Sequence, residues 1–126
     1  MTKLETKKKQ LNKALERLED VLEQEKNEYI RDAAIQRFEF CFDLFWKFIK
    51  AYLEKKHGVE CRSPKSCFRE AYQQGILDYE DFWIEVCNKR NKTTHIYSEK
   101  NAEKVYSDLP KIKNKFKRVF LHLKDS

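Results

Sequence analysis

Between Phe38 and Ile49 the chain reads FEFCFDLFWKFI, apolar almost all round a helical turn. A helix with no polar side has to be enclosed by several neighbours, so this segment is expected to be the central helix of its domain. Only 2 Gly and 2 Pro are present in 126 residues, and Lys, Glu and Leu are abundant. Few breakers and many helix formers favour long helices over a turn-rich β fold. The length suits one domain with one modest core. A mean hydropathy of -0.87 is low, but aromatics make up 13% of the chain. The apolar content is therefore held by a few large side chains, as in a small all-α helical bundle occupying residues 1–126.

The remaining elements follow from spacing. Leu4, Leu11, Leu15, Leu18 and Leu22 predict an amphipathic helix over roughly residues 2–25, interrupted only by Lys8. The central helix is predicted from Tyr29 to Lys56, with Gly58 as its C-cap. Ser63-Pro64 reads as an N-cap followed by Pro at the first helical position, opening a short helix that Gly75 closes. A fourth helix is expected to start at Asp78 and to bury Tyr79, Phe82, Trp83, Val86 and Cys87. A fifth starts at Ser98, with Pro110 expected to kink or split it.

Cys41, Cys61, Cys67 and Cys87 form no Cys-x-x-Cys pair and have no zinc spacing. With no signal peptide and no apolar run of spanning length, they suggest a reduced, cytoplasmic protein away from membranes, its cysteines being small core residues. Of the net charge of +6, +4 falls in residues 98–126, which carry 8 Lys/Arg and 4 Asp/Glu. Lys111, Lys113, Lys115, Lys117 and Arg118 follow one another without an intervening acid. Such a run attracts polyanions. Its alternate spacing, however, scatters charge around a helix rather than along one stripe, and the plain alternative is a solvated face.

Two polar features stand out against the core pattern. On the central helix, Gln36, Glu39, Asp43, Lys47, Lys50 and Glu54 fall within about 80° of one another. This stripe either faces water or lines a polar cleft, since charge is costly to bury alone. On the fourth helix, the apolar stripe continues by one turn onto Arg90. An inward Arg needs an anion, a partner subunit, or an ion pair with Glu39 or Asp43. Asn91, His95 and Tyr97 follow closely. On an unbroken helix His95 would lie about 140° from Arg90, so the two meet only across a break or between subunits. Thr93-Thr94, both β-branched, is a plausible place for that break. If they meet, His95 is a general acid or base, Arg90 a phosphate clamp, and Asn91 a hydrogen-bonding partner of either. No metal and no cofactor is called for. The matching reaction is metal-independent RNA cleavage with the 2′-hydroxyl as nucleophile.

Gln36-Arg37-Phe38-Glu39-Phe40 with Trp46-Lys47, then Ser63-Pro64 through Gly75-Ile76-Leu77, then Trp83-Ile84-Glu85 before Arg90-Asn91 and Thr94-His95-Ile96-Tyr97, together resemble the HEPN superfamily. The resemblance is closest to nucleotidyltransferase substrate-binding proteins and to the HEPN toxins of MNT–HEPN toxin–antitoxin pairs. It covers most of the chain and includes an R-x-x-x-x-H-x-Y element. Asp43 where Glu is common, Cys41 where Thr is frequent and Lys92 inside the motif are departures. The resemblance implies an antiparallel up-and-down bundle of about five helices and a homodimer whose two motifs share a cleft. It implies Arg90 and His95 as ribonuclease residues, with RNA as substrate. It further implies a cognate minimal nucleotidyltransferase antitoxin that adds AMP to Tyr97. A non-catalytic subunit that binds a nucleotide for such an enzyme is the alternative, and a plain oligomerisation module a third.

Overall fold

A computed structural model describes residues 1–94 and 98–125. Helix α1 spans Lys3–Leu22, α2 Glu28–Tyr52, α3 Pro64–Gln73, α4 Glu80–Thr93 and α5 Glu99–Leu123. The four long helices run up, down, up and down, and short α3 crosses between α2 and α4. The antiparallel sense shows in pairs of partners: Cys41 of α2 meets the carbonyl of Ala14 while Arg37 meets that of Arg17. Likewise Lys89 of α4 reaches Asp108 of α5, and Phe82, seven residues earlier, lies under Lys111. No helix of the described residues is long and apolar enough to cross a membrane.

Local chemistry sets the boundaries. Thr2, Asn27, Ser63 and Ser98 each accept a backbone N–H three residues on, satisfying an orphan donor of the helix that follows. At Ser63 the bond is returned by Ser66, completing a capping box before Pro64. Helix α2 loosens into a π-helical turn over Leu53–His57, which Gly58 closes at φ 65. Gly75, at φ 75, ends α3 as the amide of Ile76 turns back to the carbonyl of Ala71.

Several expectations are corrected. Helix α4 starts one residue late, behind Tyr79 rather than Asp78, because the Trp83 indole donates to the Asp78 carbonyl and holds that residue in the turn. Tyr79 takes a left-handed conformation, φ 60, and is 72% exposed instead of buried. A bulky residue there costs on the order of 1–3 kcal/mol. Helix α5 passes through Pro110 without splitting, since that residue lies on its exposed side, where an unpaired carbonyl can be hydrated. Cys61 and Cys67 are not reduced core thiols but a disulfide, their Cα atoms 5.1 Å apart. The turn into α3 folds the two together. Cys41 and Cys87 are free and buried, and burial pushes their thiols up to about 12 and about 11, which leaves them unreactive.

Helix α2 is central, as its apolar run requires, though not on every side: Phe40 is 58% exposed. Phe45 is the junction. Its ring stacks on Phe116 of α5 at 4.5 Å and on Trp83 of α4 at 5.1 Å, and meets Phe68 of α3 at 5.8 Å. A second junction was not foreseen. Arg31, near the start of α2, is buried and donates to Glu99 and Glu103 at the start of α5, and Lys26 joins Glu103. Arg31 sits on the same face as Ala34, Ile35 and Phe38, so the reasoning that singled out Arg90 applies to it equally.

Replacing Phe45 by Ala is expected to lower stability by about 3–5 kcal/mol, against almost nothing for Phe40→Ala; thermal unfolding of both variants checks this. The Arg31 cluster sets a pH dependence. Hydrogen bonding to Arg31 holds Glu99, and hydrogen bonding to Lys26 and then Arg31 holds Glu103, below the usual carboxylate range. Depressed carboxylates contribute stability that is complete above their unfolded-state pKa and is lost as pH falls through the folded-state pKa. Acid unfolding monitored by circular dichroism should therefore be shallower in Glu99→Gln and Glu103→Gln than in the parent.

Candidate functional site

Trp83, Val86 and Cys87 bury the inward face of α4, and the next position on that face is Arg90. Because α4 runs antiparallel to α2, Arg90 arrives opposite Glu39 and Asp43, which are one turn apart. Arg90 Nη1 stands 3.0 Å from Glu39 Oε2, and Nη2 3.8 Å from Asp43 Oδ2, as two ion pairs of unequal length. The Glu39 contact is the closer and therefore the stronger coulombic pair, while the Asp43 contact is beyond hydrogen-bond distance. Nη1 also donates to the Thr93 hydroxyl at 3.2 Å, and that hydroxyl donates to the Arg90 carbonyl at 2.7 Å. The Arg90 side chain is 20% exposed, and its Nε has no partner among the described residues. Glu39 and Thr93 thus hold the guanidinium, and the Asp43 side is only loosely occupied. A shorter carboxylate at this position leaves Nη2 incompletely engaged.

The helix ends where the β-branched pair stands. Thr93 is the last residue of α4 and Thr94 its cap, and the Thr94 hydroxyl donates to the Asn91 carbonyl at 2.9 Å. Threonine hydroxyls turned back on the last carbonyls give the backbone an alternative to another helical turn. His95 and Tyr97 lie outside the described residues. The chain on either side of them is tied to α2, by Arg90–Glu39 before and Arg31–Glu99 after.

The polar residues singled out in the sequence divide between places. Arg90, Glu39 and Asp43 meet. Lys47, one turn further along α2, is exposed and makes no ion pair among the described residues. Asn91 is exposed and about 100° round α4 from Arg90. Together with Lys92 it lines a separate cavity of about 720 Å³ between α4 and α5, facing Asn101 and Lys104. The polar stripe of α2 is therefore partly a paired cleft wall and partly solvated surface. Sequence reasoning missed Thr93 as a ligand of Arg90. It also missed the pairing of Lys89 with Asp108 at 2.6 Å, which no spacing rule within one helix can reveal.

Comparison with known proteins gives a consistent relationship. Residues 6–125 match the family described as nucleotidyltransferase substrate binding protein like. The Haemophilus influenzae protein named Probable ribonuclease HepT is 30% identical over 80 residues, covering 60% of this chain and 55% of that protein, so the match spans about half the length of that curated relative. A crystal structure of a Thermus thermophilus protein is 35% identical with a TM-score of 0.85, over 90% of this chain and 98% of the other. The Shewanella oneidensis HEPN toxin, described as tri-AMPylated and in complex with an MNT antitoxin, superposes over the full length of both chains with a TM-score of 0.79 at 15% identity, a likeness of fold. With its family match covering nearly the whole sequence and its helices arranged as in a HEPN toxin, the chain belongs to the nucleotidyltransferase substrate-binding-protein-like family.

Proposed function

We propose that this chain is a HEPN-type toxin that cleaves RNA without a metal and is silenced by a cognate minimal nucleotidyltransferase. The observation that carries this is Arg90, held on the core-facing end of α4 by Glu39, on a helix whose last residue is Thr93, two positions before His95 in sequence. The 2′-oxygen of the substrate attacks phosphorus, and the bond to the 5′-oxygen of the next nucleotide breaks. His95 moves the proton, as an imidazole can near neutral pH. Arg90 takes a phosphate oxygen on Nη2, where Asp43 is the weaker competitor, and stabilises the developing charge. Asn91, facing the cavity between α4 and α5, contacts the RNA backbone rather than the scissile group. Two copies form a homodimer that brings two motifs together. The partner adds AMP to the Tyr97 hydroxyl, and the added phosphate and adenosine fill the cleft and repel RNA. The AMPylated state of the Shewanella relative supports this reading.

RNA incubated with the purified chain in EDTA is expected to be cut, with Arg90→Ala and His95→Ala slower by at least about a hundredfold, the scale of one general acid–base group. Intact RNA with the parent chain would overturn the ribonuclease reading. Co-expression with the partner nucleotidyltransferase should give an intact mass increased by AMP, and Tyr97→Phe should abolish the increase. An unchanged mass, or one that survives Tyr97→Phe, would count against the assignment of that residue.

A further inference from the structure

The cations of α5 are not scattered as their alternate spacing suggests. Lys113 and Lys117 reach Glu19 of α1 at 3.6 and 2.8 Å. Lys104, Lys111, Lys115 and Arg118 fall three, four or seven residues apart and share another face, turned towards α4. Opposite them on α4 lie Phe82, Glu85, Lys89 and Lys92, again at three- and four-residue steps. Between these two faces run three hollows with common walls. The wide one holds Lys92 and Lys104 and shares Glu85 and Lys89 with a narrower one beneath Lys111. That one shares Phe82 with a third of about 270 Å³, where Tyr79, Lys115 and Arg118 converge. The result is one groove along the α4–α5 seam, spanning about 18 Å from Tyr79 to Asn91. Its wide end is bounded by Asn91 and Asn101, the residues on either side of the His95–Tyr97 segment in sequence.

Charge and aromatic surface are arranged along it in order. Six cations line the groove against three carboxylates, of which Asp108 is already paired with Lys89 while Glu85 and Asp78 complete the three. At the narrow end Lys115 Nζ stands 5.6 Å from the centre of the Tyr79 ring and 5.8 Å from that of Phe82. Tyr79 is 72% exposed in a left-handed conformation and takes no part in the core. An ammonium beside an exposed aromatic plane matches one nucleotide, with the base on the ring and the phosphate on the cation.

We propose that this groove is a track for single-stranded RNA, in which the lysines follow the phosphate backbone and Tyr79 stacks a base upstream or downstream of the cleavage motif. The proposal rests on the ribonuclease reading above for its substrate. It is tested on binding alone, with a fluorescent 2′-O-methyl oligonucleotide that lacks the nucleophilic hydroxyl and is not cut. Fluorescence anisotropy should show Kd raised about tenfold by Tyr79→Ala and restored by Tyr79→Phe. Lys111→Ala and Lys115→Ala should each reduce the slope of log affinity against log salt by about 0.7, and Lys113→Ala on the other face should leave it unchanged. Thermal melts separate misfolding from lost binding. If the parent chain does not bind the oligonucleotide, or if Tyr79→Ala and Lys115→Ala bind as it does, the track is overturned, even where RNA is still cut in EDTA. Binding lost in these variants while RNA stays intact would keep the track and remove the ribonuclease reading.

Discussion

The ring of Phe45 sits between Phe116, Trp83 and Phe68, one from each helix that packs on the far side of α2. Stacked rings constrain rotation as well as distance, because offset faces fit in few arrangements. Once Trp83 lies flat on Phe45, the rotation of α4 about its own axis is set. Arg90, seven residues or about two turns later, then points at α2 as well. The orientation of a polar site is thus decided by an apolar contact about 10 Å away along the helix axis.

On this aromatic frame α2 acts as a polar rail with two arginine–carboxylate stations. Arg90 brings its charge to Glu39 and Asp43, and Arg31 takes carboxylates from the start of α5. The two stations bracket the chain between α4 and α5, so the segment that carries His95 and Tyr97 begins and ends at points tied to one helix. Burying an arginine is costly unless it is hydrogen-bonded, and each here has acidic partners from another helix or from its own neighbour. The cost is accepted at the place where the proposed chemistry requires a positioned guanidinium.

Much of this was legible in the residues. The Phe38–Ile49 run called for a central helix, Ser63-Pro64 for a helix start, and Gly58 and Gly75 for helix ends, because caps and periodicity are local effects. The inward turn of Arg90 was also legible, since it continues an apolar stripe. What was not legible depended on the approach of distant segments. Tyr79 looked buried because it continued the same stripe, but the Trp83–Asp78 bond shifts the helix start and turns its ring outward. Cys61 and Cys67 looked like separate core thiols until the turn into α3 brought them together. The basic run of α5 looked scattered because its two sets of cations interleave in sequence, and only their partners on α1 and α4 sort them.

By itself, then, the sequence determined an all-helical bundle, the position of its central helix, the helix ends and the inward placement of Arg90. These rest on periods of 3.6 residues and on capping bonds spanning three or four, which hold whatever the rest of the chain does. The packing of distant segments settled which carboxylate holds Arg90 more closely, that Asn91 faces a different cavity, and that the α5 lysines form a groove with α4. Those outcomes are set by the separation and relative rotation of packed helices, and a shift of less than about 1 Å there separates the 3.0 Å ion pair of Glu39 from the 3.8 Å contact of Asp43.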